Sequence, residues 1–389
     1  MIRPTLLRVG LMGLSLVLAL GLAELVLRRT IPRATAFYLW EPSVEKRFQP
    51  RPELVPGVEG PSVFRTSSIG LRADELTPAH DVRILALGGS TTECSLLDQS
   101  EAWPQIVQQR LGEQFPDRGV WVGNAGASGR HARDHRAQLR YLLPQLPELD
   151  VLVLLVGVND LMLPLAQGPA FDPRYMERPG SERELLLRAF RLLPLEIEER
   201  LPFWKRTALW RLGAQVRDRW FPAPVVFDGE GVAFQTWRTY RRETPNLRPE
   251  LPDLDDALDE YRRNMRALIE AGRAAGARVV CATQPFLWRT DLPAEMAALC
   301  WMGGAGPYQE RPGSEYWALG ALAEGMTLYN GALLELCAEA NVACVDLEPL
   351  LAKDTSAFYD DVHFNEAGAR LVAEAIADEL AQGAPFVGR

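Results

Sequence analysis

The sequence predicts a doubly wound, three-layer α/β domain built on a parallel sheet of five strands. Three observations predict it. Five short apolar runs, at 82–89 (VRILALGG), 120–126 (VWVGNAG), 150–157 (DVLVLLVG), 278–285 (RVVCATQP) and 341–349 (NVACVDLEP), are continuous rather than alternating in hydrophobicity. Strands buried on both faces need that pattern, and each run closes on Gly, Asn, Asp or Pro. Helical patterns lie between the runs, an order that makes βαβ units and hence parallel strands. The chain of 389 residues is 47% hydrophobic and 24% charged, enough for a sizeable core in one large domain or two ordinary ones.

Taken from the N-terminus, residues 9–27 form a mostly apolar run with one charge, Glu24 near its end, and with Arg3 and Arg8 before it and Arg28 and Arg29 after. About 20 such residues span a bilayer as a helix. Gly21-Leu22-Ala23 would suit cleavage of a signal peptide. The length of the run and a possible Glu24–Arg28 pair one turn apart favour an uncleaved transmembrane helix. Residues 1–29 are therefore read as a membrane anchor or signal segment, with the folded domain that follows outside the cytoplasm. Basic residues at both ends leave the orientation unset by charge. Residues 30–80, rich in Pro, Arg and Ser, read as an extended tether.

The folded domain is placed at 81–385. In 255–276, Leu258, Tyr261, Met265, Leu268 and Ile269 share one helical face, with acids in the first turn. Asn365 is a candidate N-cap for a last helix packed through Leu371, Val372, Ile376 and Leu380. Residues 161–255 break the alternation and read as a helical insertion. Within it Leu209, Leu212, Val216 and Trp220 share a face, flanked by Lys205, Arg206, Arg211, Arg217 and Arg219. That pattern suits a helix covering the core with a basic outer side, or one lying on a membrane. As an insertion after a strand end, it could also cover the site as a lid.

Charge excludes one class of partner. The net charge of −9 is wrong for nucleic acid, whose phosphates need a basic surface. The five cysteines, Cys94, Cys281, Cys300, Cys337 and Cys344, show no metal-ligand spacing. A Cys300–Cys337 disulfide is possible in an exported domain. No cofactor or metal is implied.

The chemistry lies in four stretches: GGST (88–91), NAGASG (124–129), GVND (157–160) and DDVH (360–363). Each alone is an ordinary turn or cap. Together they supply the parts of a serine esterase. Ser90 is a nucleophile in need of a base, and His363 titrates where a base is useful. Asp360, three residues earlier, can hold the imidazole in one tautomer. The N–H groups of Ser90 and Gly126 and the Asn159 side-chain amide are candidate donors to an oxyanion.

With these blocks in this order, at strand ends, the chain resembles the SGNH hydrolases, the GDSL-like esterase and lipase superfamily. The resemblance covers about 82–383, excluding most of the insertion. It implies a flavodoxin-like α/β/α domain in which Ser90, Gly126, Asn159 and His363 are the four block residues and Asp360–His363 is the DxxH. One departure is plain: Gly89 stands where the family usually has Asp. The implied activity is hydrolysis of an ester through an acyl-enzyme on Ser90, on a small molecule or on a glycan or lipid ester of the cell envelope. Transfer of acyl groups onto surface polysaccharide, and a non-catalytic glycan-binding module, are the alternatives.

Other residues compete weakly. His131 and His135 are four apart, a zinc spacing, but no third ligand is evident. Arg130 and Arg133 could meet an anionic substrate, and Trp288 and Trp301 could line a pocket.

Overall fold

The structure, a computed structural model, describes residues 4–30, 36–192, 204, 207–210, 212–213 and 229–387. The chain divides into two compact units, one of Met1–Phe37 with Leu192–Phe227, the other of Tyr38–Arg191 with Asp228–Arg389.

The smaller unit holds helix α1 (Pro4–Thr30). Its segment Gly10–Arg29 has a mean hydropathy of 2.2 and is long and apolar enough to cross a membrane, by the same test a signal sequence passes. Glu24 pairs with Arg28 at 2.7 Å. The Glu24 carboxylate also accepts the N–H groups of Ala208 and Leu209, at 2.9 and 3.0 Å. Most of the basic amphipathic pattern at 205–221 lies outside the described residues.

In the larger unit the elements are β1 (Glu45–Phe48), β2 (Ser62–Arg65), β3 (Val82–Gly88), α2 (Ser90–Glu93), α3 (Trp103–Gln114), β4 (Val120–Gly126), α4 (Ala132–Leu142), β5 (Val151–Leu155), α5 (Val158–Gln167) and α6 (Ser181–Ala189). They continue with α7 (Val232–Arg242), β6 (Leu247–Arg248), α8 (Asp255–Ala274), β7 (Arg278–Ala282), α9 (Ala294–Ala297), β8 (Tyr316–Trp317), α10 (Leu319–Ala340), β9 (Ala343–Val345) and α11 (Glu366–Ala381). The main sheet has the order β4-β3-β5-β7-β9, all parallel. Helices α3 and α11 pack together, and α8 packs on α4 and α10. All five residues of β5 and nearly all of β3 are buried, as continuous apolar strands between two helical layers must be. From β3 the chain first moves to one edge through β4, then returns past β3 to β5 and the other edge. Ligand crevices form at the carboxyl ends of strands where the order reverses in this way.

The helices follow their sequence logic. Asp255 and Asp256 open α8, which buries Leu258, Tyr261, Met265, Leu268 and Ile269. Asn365 caps α11 by accepting the Gly368 N–H at 2.9 Å. Leu371 departs from the expected face: it is exposed, because Val372, Ile376 and Leu380 one turn apart already fill the buried stripe.

Two expectations are corrected. Residues 38–80 are not an extended tether. They form the antiparallel pair β1–β2 and bury Leu39, Val55, Val58, Phe64 and Leu71 in the main core. The region 161–255 is not one insertion either: α5, α6 and α7 belong to the larger unit, and the break falls at 192–227.

Candidate active site

Strand β3 ends at Gly88, and its continuation through Gly89 into the single turn α2 leaves no room for side chains. A Cβ on Gly88 would stand 2.3 Å from the Leu155 carbonyl oxygen, and one on Gly89 2.5 Å from Asn159 Nδ2. The turn is closed by Thr92 and Glu93 N–H on the Gly89 carbonyl, and by Cys94 N–H on that of Ser90. Ser90 begins the turn, so its own N–H has no partner within it.

From the far edge of the sheet, the long loop between β9 and α11 brings His363 to the serine. Its Nε2 lies 2.7 Å from Ser90 Oγ. Its Nδ1 lies 2.9 and 2.8 Å from Asp360 Oδ1 and Oδ2. Asp360 is fully buried and accepts three further bonds: from Val362 N–H (3.1 Å), His363 N–H (2.9 Å) and Trp301 Nε1 (2.9 Å). Burial opposes a charged imidazole, but the Asp360 charge and hydrogen bond overcome it, and the His363 pKa is raised. Burial likewise opposes the Asp360 carboxylate, yet His363 and the donors around it hold its pKa below the ordinary value. The arrangement can take the Ser90 proton on Nε2 while Asp360 holds the opposite face of the ring.

Trp301 is the residue that sequence reasoning missed in this role. It was a candidate pocket wall; its indole N–H instead binds the Asp360 carboxylate, and its ring is nearly parallel to His363 (7°, centroids 6.5 Å apart). The neighbouring Asp361, also fully buried, fixes the Trp301 loop by accepting the N–H groups of Trp301 and Met302. Trp288, the other pocket candidate, donates its Nε1–H to Asp361 at 2.7 Å. Arg72 was also missed. Wholly buried, its guanidinium donates to the carbonyls of Glu93 and Cys94 (both 2.6 Å), Leu97 (2.8 Å) and Asp98 (3.1 Å), pinning the chain just after Ser90.

Of the expected oxyanion donors, Asn159 stands at the start of α5, with Nδ2 donating to the Arg130 carbonyl at 2.9 Å. That bond uses one amide hydrogen and leaves the other. Gly126 requires a correction. Its N–H is already given to Asn124 Oδ1 at 2.8 Å, so it is not available to a substrate. Its glycine identity has another cause: a Cβ there would stand 2.1 Å from the Glu93 amide nitrogen. Gly129 lies three residues on, next to the carbonyl that holds Asn159. It has φ +70° and open space around its Cβ position, and its amide makes no hydrogen bond among the described residues.

The remaining candidates have structural partners. His131 Nδ1 is 2.8 Å from Asp134 Oδ2, and His135 Nδ1 is 2.5 Å from Gln138 Oε1. Among the described residues no group of three metal-binding side chains occurs. Arg133 lies 3.6 Å from Glu260. All five cysteines are free thiols, so Cys300 and Cys337 are not bridged.

A serine, a histidine and a buried carboxylate in hydrogen-bonded series at the strand ends of a parallel sheet define a serine-hydrolase type of site. The sequence model of the GDSL-like lipase/acylhydrolase family matches residues 86–371, and the chain belongs to that family, whose members cleave esters. No curated protein matches the sequence. Among solved structures, the chain is similar to Axe2, an acetylxylan esterase from Geobacillus stearothermophilus, at 15% identity and a TM-score of 0.40, covering 78% of this chain and 96% of that one. It is also similar to LAE5, an α/β hydrolase enzyme from the metagenome of Lake Arreo, Spain, at 14% identity and a TM-score of 0.41, covering 77% and 95% of the two chains.

Proposed function

We propose that this chain hydrolyses an ester through an acyl-enzyme on Ser90, and that it does so as a membrane-anchored enzyme facing away from the cytoplasm. His363 takes the Ser90 proton as Oγ attacks the carbonyl carbon, then returns it to the departing alcohol. Asp360 orients His363 and stabilises the imidazolium. The Ser90 N–H, the free amide hydrogen of Asn159 and the Gly129 N–H receive the oxyanion. Water, activated by the same histidine, then releases the acid. The observation that carries this reading is the unbroken series Ser90 Oγ–His363 Nε2 at 2.7 Å and His363 Nδ1–Asp360 Oδ2 at 2.8 Å. A retired, non-catalytic module has no physical need to keep it.

The substrate class we favour is an ester of the cell envelope, on glycan or lipid, because helix α1 would hold the enzyme at a membrane. The test uses the full chain in detergent with a fluorophosphonate probe, the adduct being located by peptide mass spectrometry. Labelling of Ser90 that disappears in His363→Ala is expected. A folded sample that is not labelled, or labelling that survives His363→Ala at full rate, overturns the assignment.

A further inference from the structure

Positive charge collects around the 124–130 stretch, beside the nucleophile. Arg130 directly follows Gly129, and its carbonyl holds the Asn159 amide. Among the described residues its guanidinium has poor company: Nε is buried with no partner, and Nη1 reaches only the Ser128 carbonyl at 3.4 Å. Arg191 approaches the same stretch from another side. Its backbone N–H donates to the Tyr38 carbonyl, and its guanidinium lies 5.3 Å over the Trp40 ring. Trp40 in turn donates its Nε1–H to the Gly126 carbonyl at 3.3 Å. Arg188 completes the group, bonded to Asp134 at 3.1 Å.

Among the described residues two carboxylates stand near these three cations: Asp134 is paired with Arg188, and Glu93 is engaged with Ser128. Asp134 also accepts from His131, through the backbone N–H at 3.0 Å and the ring at 2.8 Å. Glu93, buried, accepts the N–H and the hydroxyl of Ser128, both at 2.6 Å. Among the described residues neither Arg130 nor Arg191 has an ion pair. Burial and the nearby charges of Arg188 and Arg191 lower the Arg130 pKa, against the opposing pull of Asp134 and Glu93. In a chain of net charge −9, an uncompensated positive group next to a reactive serine is a local field with a use: it draws in and holds an anion. Glu93, whose charge also acts on His363, ties this field to the catalytic turn.

We infer that Arg130 and Arg191 form an anion subsite beside Ser90, and that the ester cleaved is carried on a molecule with a carboxylate or phosphate close to the ester bond. This rests on the Ser90 reading and narrows it to an acidic substrate. Guanidinium forks suit both anions, since each offers paired oxygens to parallel N–H donors.

The test compares three acetylated sugars on the full chain in detergent: glucose, glucuronate and glucose 6-phosphate. We expect kcat/KM for at least one acidic ester to exceed that for the neutral one by about tenfold or more, as one charge-assisted contact provides. The excess should shrink between about 0.05 and 0.5 M salt. In Arg130→Gln/Arg191→Gln the ratio should fall to about one. Arg191→Gln alone, at an exposed side chain that leaves the core intact, should lower it in part. Preference for glucuronate identifies a carboxylate substrate, and preference for the 6-phosphate a phosphate one. Equal rates on all three esters, or a preference indifferent to salt and to both variants, overturn the subsite while leaving the hydrolase intact. No turnover of any ester, the neutral one included, overturns the hydrolase reading and the subsite with it.

Discussion

Replacing Trp301 by Phe removes one hydrogen bond to Asp360, together with the outer part of a buried ring. A smaller aromatic ring stays beside Trp237 (centroids 4.7 Å apart in the wild type) and His363, and the parallel melting measurement reads the packing it loses; the Nε1–H donor to Oδ2 is lost. A hydrogen bond to a charged group contributes about 1.5–3 kcal/mol. If all of it were felt in the transition state, kcat/KM would fall by about 10- to 100-fold, which sets the ceiling. We expect a fall of about tenfold, because the His363 and Val362 bonds remain on the carboxylate. The sign of the pH effect discriminates between roles. His363 must be neutral to accept the Ser90 proton, and its pKa is already raised by Asp360. Without the indole N–H, the carboxylate charge is less dispersed and holds the imidazolium more strongly. The acid limb of kcat/KM against pH therefore moves to higher pH in Trp301→Phe. The assay is initial-rate hydrolysis of an activated ester across the acid limb, with melting temperature recorded in parallel. A variant with lowered rate but an unmoved limb would refute the link between Trp301 and the charge pair, leaving Trp301 as packing alone.

Other consequences are checked more briefly. In the wild type, the raised His363 pKa places the acid limb above the ordinary imidazole value of about 6.5, so a pH–rate profile half-maximal well below that contradicts the ion-pair geometry. Gly126→Ala drives a Cβ to 2.1 Å from the Glu93 amide, so the nucleophile turn must move; loss of fluorophosphonate labelling and a destabilisation of about 1–3 kcal/mol are expected by denaturant titration. Gly89→Asp sets a Cβ 2.5 Å from Asn159 Nδ2 and displaces that amide, so kcat should drop by about 10²-fold, as for loss of one oxyanion donor, with Ser90 still labelled slowly. Arg72→Met leaves the carbonyls of Glu93, Cys94, Leu97 and Asp98 unmet and should cost about 3 kcal/mol or more, read as a lowered melting temperature.

The sheet was legible because its strands carry the signature of two-sided burial, and Ser90 and Asn159 stand just past the ends of two of them. Asp360–His363 is a local turn, so sequence spacing implies contact there. What escaped depends on distance or on direction. Trp301 lies 59 residues from Asp360, and nothing in its neighbourhood marks an indole that aims at a carboxylate. Gly126 and Gly129 look alike as letters; only the fold shows that Asn124 captures the first amide while the second makes no hydrogen bond among the described residues. The 38–80 segment hid its fold because its buried residues obey neither a helical nor a strand period. They are held by β1–β2 pairing and by isolated contacts with the core. Arg72 is one arginine among many there, and only the fold makes it internal.

That segment changes what separation from the membrane would mean. If 38–80 were a leash, a protease cutting within it would shed a working enzyme into the surroundings. Because Arg72 clasps the carbonyls behind Ser90 and Leu71 is sealed in the core, a cut past Tyr38 instead strips the catalytic turn of its support. The integrity of the 38–80 segment is thus a condition for the proposed activity. Cleavage ahead of Tyr38 leaves the clasp on the catalytic turn whole, while cleavage between Tyr38 and Arg72 leaves the part of the segment ahead of the cut tied to the rest of the chain by packing and hydrogen bonds alone.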